Sequence, residues 1–445
     1  MTIDEFTRKL RAHEVTALEV TNACLRRIEE LQPSLNAFIR VMADEARQGA
    51  ETADRELALG RDRGPLHGVP IALKDIIDVR GIPTTAASRV REGHIADADA
   101  PVVARLRDAG AVIIGKTNLD EFAFGTTSEN SAFGAVRHPM DPSRSPGGSS
   151  GGSAVAVATG MALAALGTDT GGSIRIPSAA CGIVGLKPTL GEIETDGVVP
   201  LAKTFDHVGS FAQTVADARL MHQAMSASIV DVRSAGADLP RSARDLRLGI
   251  PRGYLTDLLD NDVRARFDEA AAALRRGGAT LTDVAIPHAS TTPAVYIHIH
   301  SSEGATYHAR TLDSEPERYT PVVRRRLELG RYVLAQDYLR AMEGRAVLCH
   351  EVDAALAGCD ALMLPTLPIP APPIGAEMMM MGDRQEPVRA LMLRLTQLFN
   401  VTGHPAISIP CGVTADGLPV GLQLVGRRSQ TNDLLSTALL IERFL

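Results

Sequence analysis

The stretch from Ser145 to Pro188 constrains the fold more than any other part of the chain. It reads SPGGSSGGSAVAVATGMALAALGTDTGGSIRIPSAACGIVGLKP. Two serine clusters are flanked by paired glycines, Gly147-Gly148-Ser149-Ser150-Gly151-Gly152-Ser153 and Gly171-Gly172-Ser173, and a run of small apolar residues joins them. Glycine pairs let backbone N–H groups approach a ligand closely and reach φ/ψ values closed to other residues. The joining run predicts a helix over Gly151–Met161, a strand over Ala162–Gly167 and a loop over Thr168–Ser173. A serine hydroxyl in such a loop becomes a nucleophile when a neighbouring group takes its proton. Two such serines on neighbouring loops, with a base, make an acyl-transfer site. The plain alternative is a pair of tight structural turns.

Helical and strand patterns alternate over the rest of the chain. Residues 2–31 predict two helices, with Thr16 as N-cap of the second. A short strand follows over Asn36–Val41 and a helix over Ala43–Leu59. Gly68–Val79 reads as a buried strand pair with Lys74 in its middle. Pro101–Ala109 and Ala111–Ile114 form a helix–strand unit. Further on, helices are predicted over Val215–Ala224, Val263–Arg276, Val347–Leu356 and Val388–Asn400. Strands are predicted over Leu246–Pro251, Ala361–Leu364, Ala406–Pro410 and Val420–Val425, the last two joined through the turn pair Asp416-Gly417. This alternation predicts an α/β fold: one large domain with a mixed, mostly parallel twisted sheet covered by helices on both faces. The loosest segments, Ser228–Ser242 and Pro365–Pro373, are too short to separate independent domains.

Bulk properties exclude several classes. The net charge of −7 over 445 residues argues against nucleic acid or an anionic membrane as partner. Tryptophan is absent and aromatics make up 4%, so stacking platforms for bases or sugars are not expected. The five cysteines, Cys24, Cys181, Cys349, Cys359 and Cys411, show no C-x-x-C spacing. Neither a disulfide framework nor a zinc ribbon is indicated, and a reducing cytoplasm fits best. The charged N-terminus lacks the apolar core of a signal peptide. The uncharged run Ser145–Thr168 is too rich in Gly and Ser to read as a membrane span.

The glycine loop at Gly171–Ser173 suits an oxyanion, since successive N–H groups from Thr170 to Ser173 can point into one cavity. The base is harder to find. Among twelve histidines, His67 and His404 are best placed, though each reads more simply as a structural residue. Lys74 is the better candidate, because burial in an apolar strand disfavours the charged amine. Its structural alternative is an ion pair with Asp75 or Asp78. Lys116 and Lys187 sit in similar settings, and composition does not rank the three. Gly148-Ser149-Ser150-Gly151-Gly152 matches the G-x-S-x-G nucleophile elbow, which would make Ser150 the nucleophile. That elbow needs a preceding strand, and His138–Pro146 cannot form one.

Together these residues resemble the amidase signature family of amidohydrolases. The matching pieces are Gly68–Asp75, Gly115–Ala123, Pro146–Ser153, Gly167–Ile176 and Cys181–Thr189, then Leu364–Thr366 and Gly403–Val425. The resemblance spans nearly the whole chain and is strongest over 65–210. It implies a single amidase domain over 1–445, with a catalytic core over 65–210. A more variable pocket region over 211–400 and C-terminal strands and a helix over 401–445 complete it. It also implies a Ser–cis-Ser–Lys triad, with Ser173 as nucleophile, Ser149 as the bridging serine on a cis peptide and Lys74 as base. The amides of Thr170, Gly171, Gly172 and Ser173 would hold the oxyanion. Ser150 and Asp169 would support the loops, with Arg175 as a structural anchor. Neither cofactor nor metal is implied.

Substrate is less constrained. The resemblance implies hydrolysis of linear amides of small neutral, apolar or aryl compounds, extending to carbamates and esters, by a cytoplasmic monomer or homodimer. The A subunit of glutamyl-tRNA amidotransferase shares the same motifs and is the alternative. Ile176 stands where that subfamily usually has Gln, and Leu190–Thr195 replaces its usual Tyr-Gly-Arg-Val-Ser-type segment. Both departures favour a stand-alone amidase. Phe124, Gly125, Thr126 and Ile176 are expected in the substrate pocket, the first three on one wall. Met378, Met379, Met380 and Met381, read as a loop, would form an adaptable apolar flap, or else pack as an ordinary loop.

Overall fold

The computed structural model describes residues 1–226 and 242–445. Most of the segment Ser228–Ser242 thus lies outside the described residues. Thirteen strands are present among those described: β1 (Phe38–Val41), β2 (Pro70–Lys74), β3 (Val112–Thr117), β4 (Ala164–Asp169), β5 (Val184–Lys187), β6 (His207–Ala212), β7 (Arg247–Pro251), β8 (Thr280–Val284), β9 (Ala361–Pro365), β10 (Met378–Met381), β11 (Arg384–Pro387), β12 (Ala406–Val413) and β13 (Pro419–Val425). Eleven form one mixed sheet in the order β1-β3-β2-β4-β6-β5-β12-β13-β9-β7-β8. β10 and β11 pair separately.

Side-chain alternation explains why helices flank this sheet. In β9, Ala361 and Met363 enter one apolar cluster while Leu362 and Leu364 enter another. In β13, Leu422 and Leu424 face the first cluster and Val425 the second. Successive residues of a strand point to opposite faces, so both faces of these strands must be covered.

The sheet is less parallel than the sequence pattern suggests. Four of its pairings are parallel, β2 with β3 and β4, and β7 with β8 and β9. Six are antiparallel. The reason lies in the connections. Parallel neighbours need a crossover, usually helical. β5 instead returns to β6 through residues 188–206, which contain no helix, and β12 returns to β13 through the turn at Asp416-Gly417.

Two further expectations change. The predicted strand pair over Gly68–Val79 is one strand that stops at Lys74. The amides of Ile76 and Ile77 turn back onto the Lys74 carbonyl at 2.7 and 3.0 Å. The predicted helix Val388–Asn400 is two, Val388–Leu393 and Gln397–Val401, interrupted around Thr396.

Both corrections shape one region. β3, β2 and β4 run parallel, and their C-terminal ends carry Thr117, Lys74 and Asp169. In open α/β sheets ligands bind outside the carboxyl ends of the strands, and here both glycine–serine loops lie at that end.

Candidate active site

Lys74 ends β2 and is fully buried, as is Ser149, while Ser173 retains 5% exposure. Of the three, then, only Ser173 meets solvent. Lys74 Nζ lies 2.8 Å from Ser149 Oγ and 2.9 Å from Thr168 Oγ1. Burial pushes the Lys74 amine down to about 7, against the pull of Asp120, Asp169 and Asp206. A neutral amine has two N–H groups and one lone pair. One N–H can serve Thr168, leaving the lone pair for the Ser149 proton.

The other base candidates are otherwise engaged. Lys116 pairs with Asp75 at 2.9 Å, so Asp75 is not the partner of Lys74. Lys187 Nζ donates to the carbonyls of His404 and Pro188 at 2.5 and 3.1 Å and lies 3.2 Å from His207 Nε2. His67 lies against the Ala53 carbonyl at 2.9 Å, and His404 against Asp353 at 3.0 Å.

Ser149 is held from several sides. The Gly148–Ser149 peptide bond is cis. The Asp120 amide donates to the Ser149 carbonyl at 3.2 Å. Ser128 Oγ donates to the carbonyls of Gly147 and Ser149 at 2.9 and 3.2 Å. A Cβ on Gly148 would lie 2.5 Å from Asp120 Oδ2, so the close approach requires glycine. Ser150 caps the helix Gly151–Ala158, and its hydroxyl donates to the Thr168 carbonyl at 3.2 Å. It is fully buried, and no strand precedes it.

The second serine loop hangs from β4. Asp169 accepts the amides of Ile174 and Arg175 at 3.2 and 3.4 Å, closing residues 170–173 into a turn. The amides of Gly171, Gly172 and Ser173 donate to no acceptor among the described residues. Arg175 is fully buried and grips Asp169 through Nε at 3.0 Å and Nη2 at 2.9 Å. Burial alone would raise the Asp169 carboxyl, but the charge and hydrogen bonds of Arg175 hold it well below the usual range. Arg175 also donates to the Thr396 carbonyl, Gln423 and Asn400 at 3.0, 2.7 and 2.6 Å. Thr396 Oγ1 donates to the Gly171 carbonyl at 2.6 Å. The interruption between the two helices around Thr396 therefore fixes this loop.

Asp206 holds the loop's other side. It accepts from Thr170 Oγ1 at 2.6 Å and from the Leu201 amide at 2.9 Å. Burial pushes its carboxyl up to about 6, against these hydrogen bonds. Thr168, Asp206, Thr396 and Asn400 all escaped the sequence reading. Thr168 alone carried a signal, a hydroxyl beside Asp169 at the end of the apolar run Ala162–Gly167.

The expected pocket residues divide. Gly125 and Thr126 line a cavity of about 470 Å³, together with Arg326 and Arg389. Phe124 is buried beside it, 5.1 Å from the His300 ring. Ile176 is fully buried behind the loops, where its methyl groups would meet a Cβ on Gly147 or Gly172. The methionine run is not a loop but strand β10, paired with β11. Gly382, at φ +63, opens the two-residue turn between them, as the first position of a type II′ hairpin requires. Met379 and Met381 pack inward, and Met378 and Met380 face solvent. A second cavity, of about 500 Å³, includes Tyr296, Arg389 and Leu393. Tyr296 Oη and Leu393 would lie 2.8 and 3.0 Å from a Cβ on Gly171, so two residues of this cavity pack on the Gly171–Ser173 loop. Neither these two cavities nor a further one of about 760 Å³ is lined by Lys74, Ser149 or Ser173.

The site thus brings together a buried lysine in contact with one serine and a second serine on a loop of free amides. The comparisons with known proteins show the family. The profile of the family described as Amidase matches residues 19–435, and the chain belongs to this amidase signature family. The A subunit of glutamyl-tRNA(Gln) amidotransferase from Anaeromyxobacter sp. (strain K) is 41% identical, covering 98% of this chain and 94% of that one. A crystal structure described as an amidase superposes with a TM-score of 0.93 at 36% identity, covering 100% of both chains. The A subunit of glutamyl-tRNA(Gln) amidotransferase from Thermotoga maritima superposes with a TM-score of 0.81 at 34% identity, covering 100% of this chain and 94% of that one. Among the described residues, no helix is long and apolar enough to cross a membrane, and no three His, Cys, Asp or Glu side chains are grouped so as to hold a metal ion.

Proposed function

We propose that this amidase-family protein opens carbon–nitrogen amide bonds through an acyl-enzyme on Ser173. The observation that carries this reading is the 2.8 Å contact of the buried Lys74 amine with Ser149 Oγ. Neutral Lys74 takes the Ser149 proton while Ser149 takes that of Ser173. The Ser173 oxygen bonds to the substrate carbonyl carbon, and the carbonyl π electrons move to oxygen. The amides of Gly171, Gly172 and Ser173 stabilise this oxyanion, each such donor being worth about 3–4 kcal/mol. As the oxyanion collapses, the C–N bond breaks and the relay returns the proton to the leaving nitrogen. Water then adds to the acyl carbon, giving its proton to the same relay, and Ser173 leaves protonated. Carbamates and esters would enter by the same acyl-enzyme step. Release of ammonia or amine from a panel of matched amides, carbamates and esters tests this. Wild type is expected to release it and Ser173→Ala to be inert; equal release by both would refute the role of Ser173.

A second reading has specific support. The 41% identity to the A subunit of a glutamyl-tRNA(Gln) amidotransferase, over 98% of this chain, favours a glutaminase component of a larger complex. The comparisons support this reading better than the stand-alone one, although Ile176 and Leu190–Thr195 depart from that subfamily. The chemistry at Ser173 is the same in both; what differs is the amide cleaved and the need for partner chains. Turnover of simple amides by the isolated chain supports a stand-alone enzyme. Glutamine turnover that appears only with the other subunits of the Anaeromyxobacter enzyme supports the second.

A further inference from the structure

Most buried carboxylates around the relay are balanced by contact. Asp75 pairs with Lys116 at 2.9 Å and Asp169 with Arg175 at 2.9 Å. Asp206 accepts the Thr170 hydroxyl at 2.6 Å. Asp120 is as deeply buried, yet among the described residues its carboxylate meets neither a cation nor a hydroxyl. Its Oδ2 accepts the Ser128 amide at 2.8 Å and its Oδ1 the Asn130 amide at 3.1 Å. Both oxygens thus act as acceptors, and no acceptor is in place there for a carboxylic O–H. Burial pushes the carboxyl up, against those two amides and the charges of Arg326 and Lys74. A buried charge without a contact partner is costly, which singles this residue out.

Geometry ties Asp120 to the bridging serine. Its amide donates to the Ser149 carbonyl at 3.2 Å. Ser128, whose amide it holds, donates its hydroxyl to the carbonyls of Gly147 and Ser149 at 2.9 and 3.2 Å. The same hydroxyl accepts the Gly151 amide at 3.0 Å, so it spans the residues on either side of Ser149. A Cβ on Gly148 would lie 2.5 Å from Asp120 Oδ2, and one on Gly125 would fall on the carboxylate itself. Two glycines therefore let the backbone close around this one side chain. Asp120 also faces the amine. Burial lowers the Lys74 amine, and of the three carboxylates that oppose this, Asp120 acts more strongly than Asp169 or Asp206. Arg175 offsets the charge of Asp169, and Asp75 that of Lys116 on the neighbouring strand β3. On β6, burial keeps His207 neutral. Across Asp120 stand Arg326 and Arg389, both directed to the Phe124 carbonyl, and Glu129, whose carboxyl burial pushes up.

We infer that Asp120 is a positioning residue of the relay: it holds Ser149 against the Lys74 amine through its own amide and through Ser128, and supplies the buried negative charge that the transient Lys74 ammonium faces. The inference deepens the acyl-enzyme reading and rests on it. When Lys74 takes the Ser149 proton, a positive charge forms in a dry site. A fixed anion that already stands there stabilises it without having to reorganise. Because Asp120 makes no contact with the amine, it leaves the Lys74 lone pair free for Ser149.

The experiment follows the rate at which a fluorophosphonate labels Ser173 in the full chain, from about pH 5 to 9. In wild type the rate is expected to rise to a plateau with a midpoint at about 7. Asp120→Asn keeps the shape and removes the charge. Its plateau is expected to fall about 10- to 100-fold. Its midpoint is expected to move to lower pH by about half a unit or more, since the ammonium loses a facing anion. Ser128→Ala keeps the charge and removes the hydroxyl bridge, so its plateau is expected to fall at least about fivefold with the midpoint unmoved. A loss of packing alone would lower a plateau without moving the midpoint. An Asp120→Asn midpoint equal to or above that of wild type overturns the proposal, as does a wild-type plateau in Ser128→Ala. Should Asp120→Asn lack a native circular dichroism spectrum, the Ser128→Ala plateau decides. Wild type in which Ser173 goes unlabelled refutes the catalytic reading, and this inference with it. Labelled wild type with an unmoved Asp120→Asn midpoint refutes the role of Asp120 alone.

Discussion

In the proposed mechanism Lys74 must be uncharged to accept a proton, and its burial favours that state. Burial lowers its amine to about 7. Below that pH the amine is protonated and the relay cannot start. The expected kcat/KM for a neutral substrate therefore rises about tenfold per pH unit below 7 and levels off above it. A profile over pH 5–9 that is flat below 7 would show that another group takes the proton. Sequence reasoning could place Lys74, Lys116 and Lys187 in apolar settings but could not choose among them by burial, since all three are fully buried. What separates them is partner geometry across long sequence distances: a serine for Lys74, Asp75 for Lys116, backbone carbonyls for Lys187. Arg326 and Arg389 were invisible for a related reason. Lysine and arginine number 46 together, only five of them lysine, and no local pattern marks Arg326 and Arg389 among the many arginines.

At the scale of elements, the interrupted helix is the instructive case. Val388–Asn400 has the composition of one helix, yet Thr396 turns aside to bond the Gly171 carbonyl and to receive Arg175. Tertiary hydrogen bonds outweigh local propensity here, as they commonly do. Thr396→Val removes the hydroxyl but little volume. It is expected to lower kcat by about 10- to 100-fold, with a smaller change in KM, because it loosens the oxyanion loop more than the pocket. An equal rise in KM with kcat unchanged would place Thr396 in substrate binding instead. The long helix Thr292–Ser314 was missed altogether, since His300 and His308 occupy buried positions that a stripe would fill with apolar residues. The run Met378–Met381 misled in the opposite sense. Adaptable side chains suggested a loop, but Gly382-Asp383 closes it into a hairpin.

Across the whole molecule, the parallel strands β3, β2 and β4 bring segments distant in sequence to one edge of the sheet. The motifs within 65–210 made this convergence legible. The anchoring from the C-terminal third was not, because it depends on contacts that span more than 220 residues. Arg175 reaches Asn400 and Gln423 as well as Asp169, tying the loop to the far half of the sheet. Asp169→Asn would leave that guanidinium without its countercharge. It is expected to cost about 3–5 kcal/mol of stability, the usual penalty for breaking a buried pair from one side, read as a lower urea midpoint. A midpoint unchanged within error would mean that Asn400 and Gln423 alone satisfy Arg175.

The most direct test of the chemistry is reaction with a fluorophosphonate, followed by peptide mass mapping. The relay predicts one covalent adduct, on Ser173, that forms more slowly below pH 7 and disappears in Lys74→Ala. An adduct on Ser150, or one on Ser173 that forms equally fast without Lys74, would contradict it.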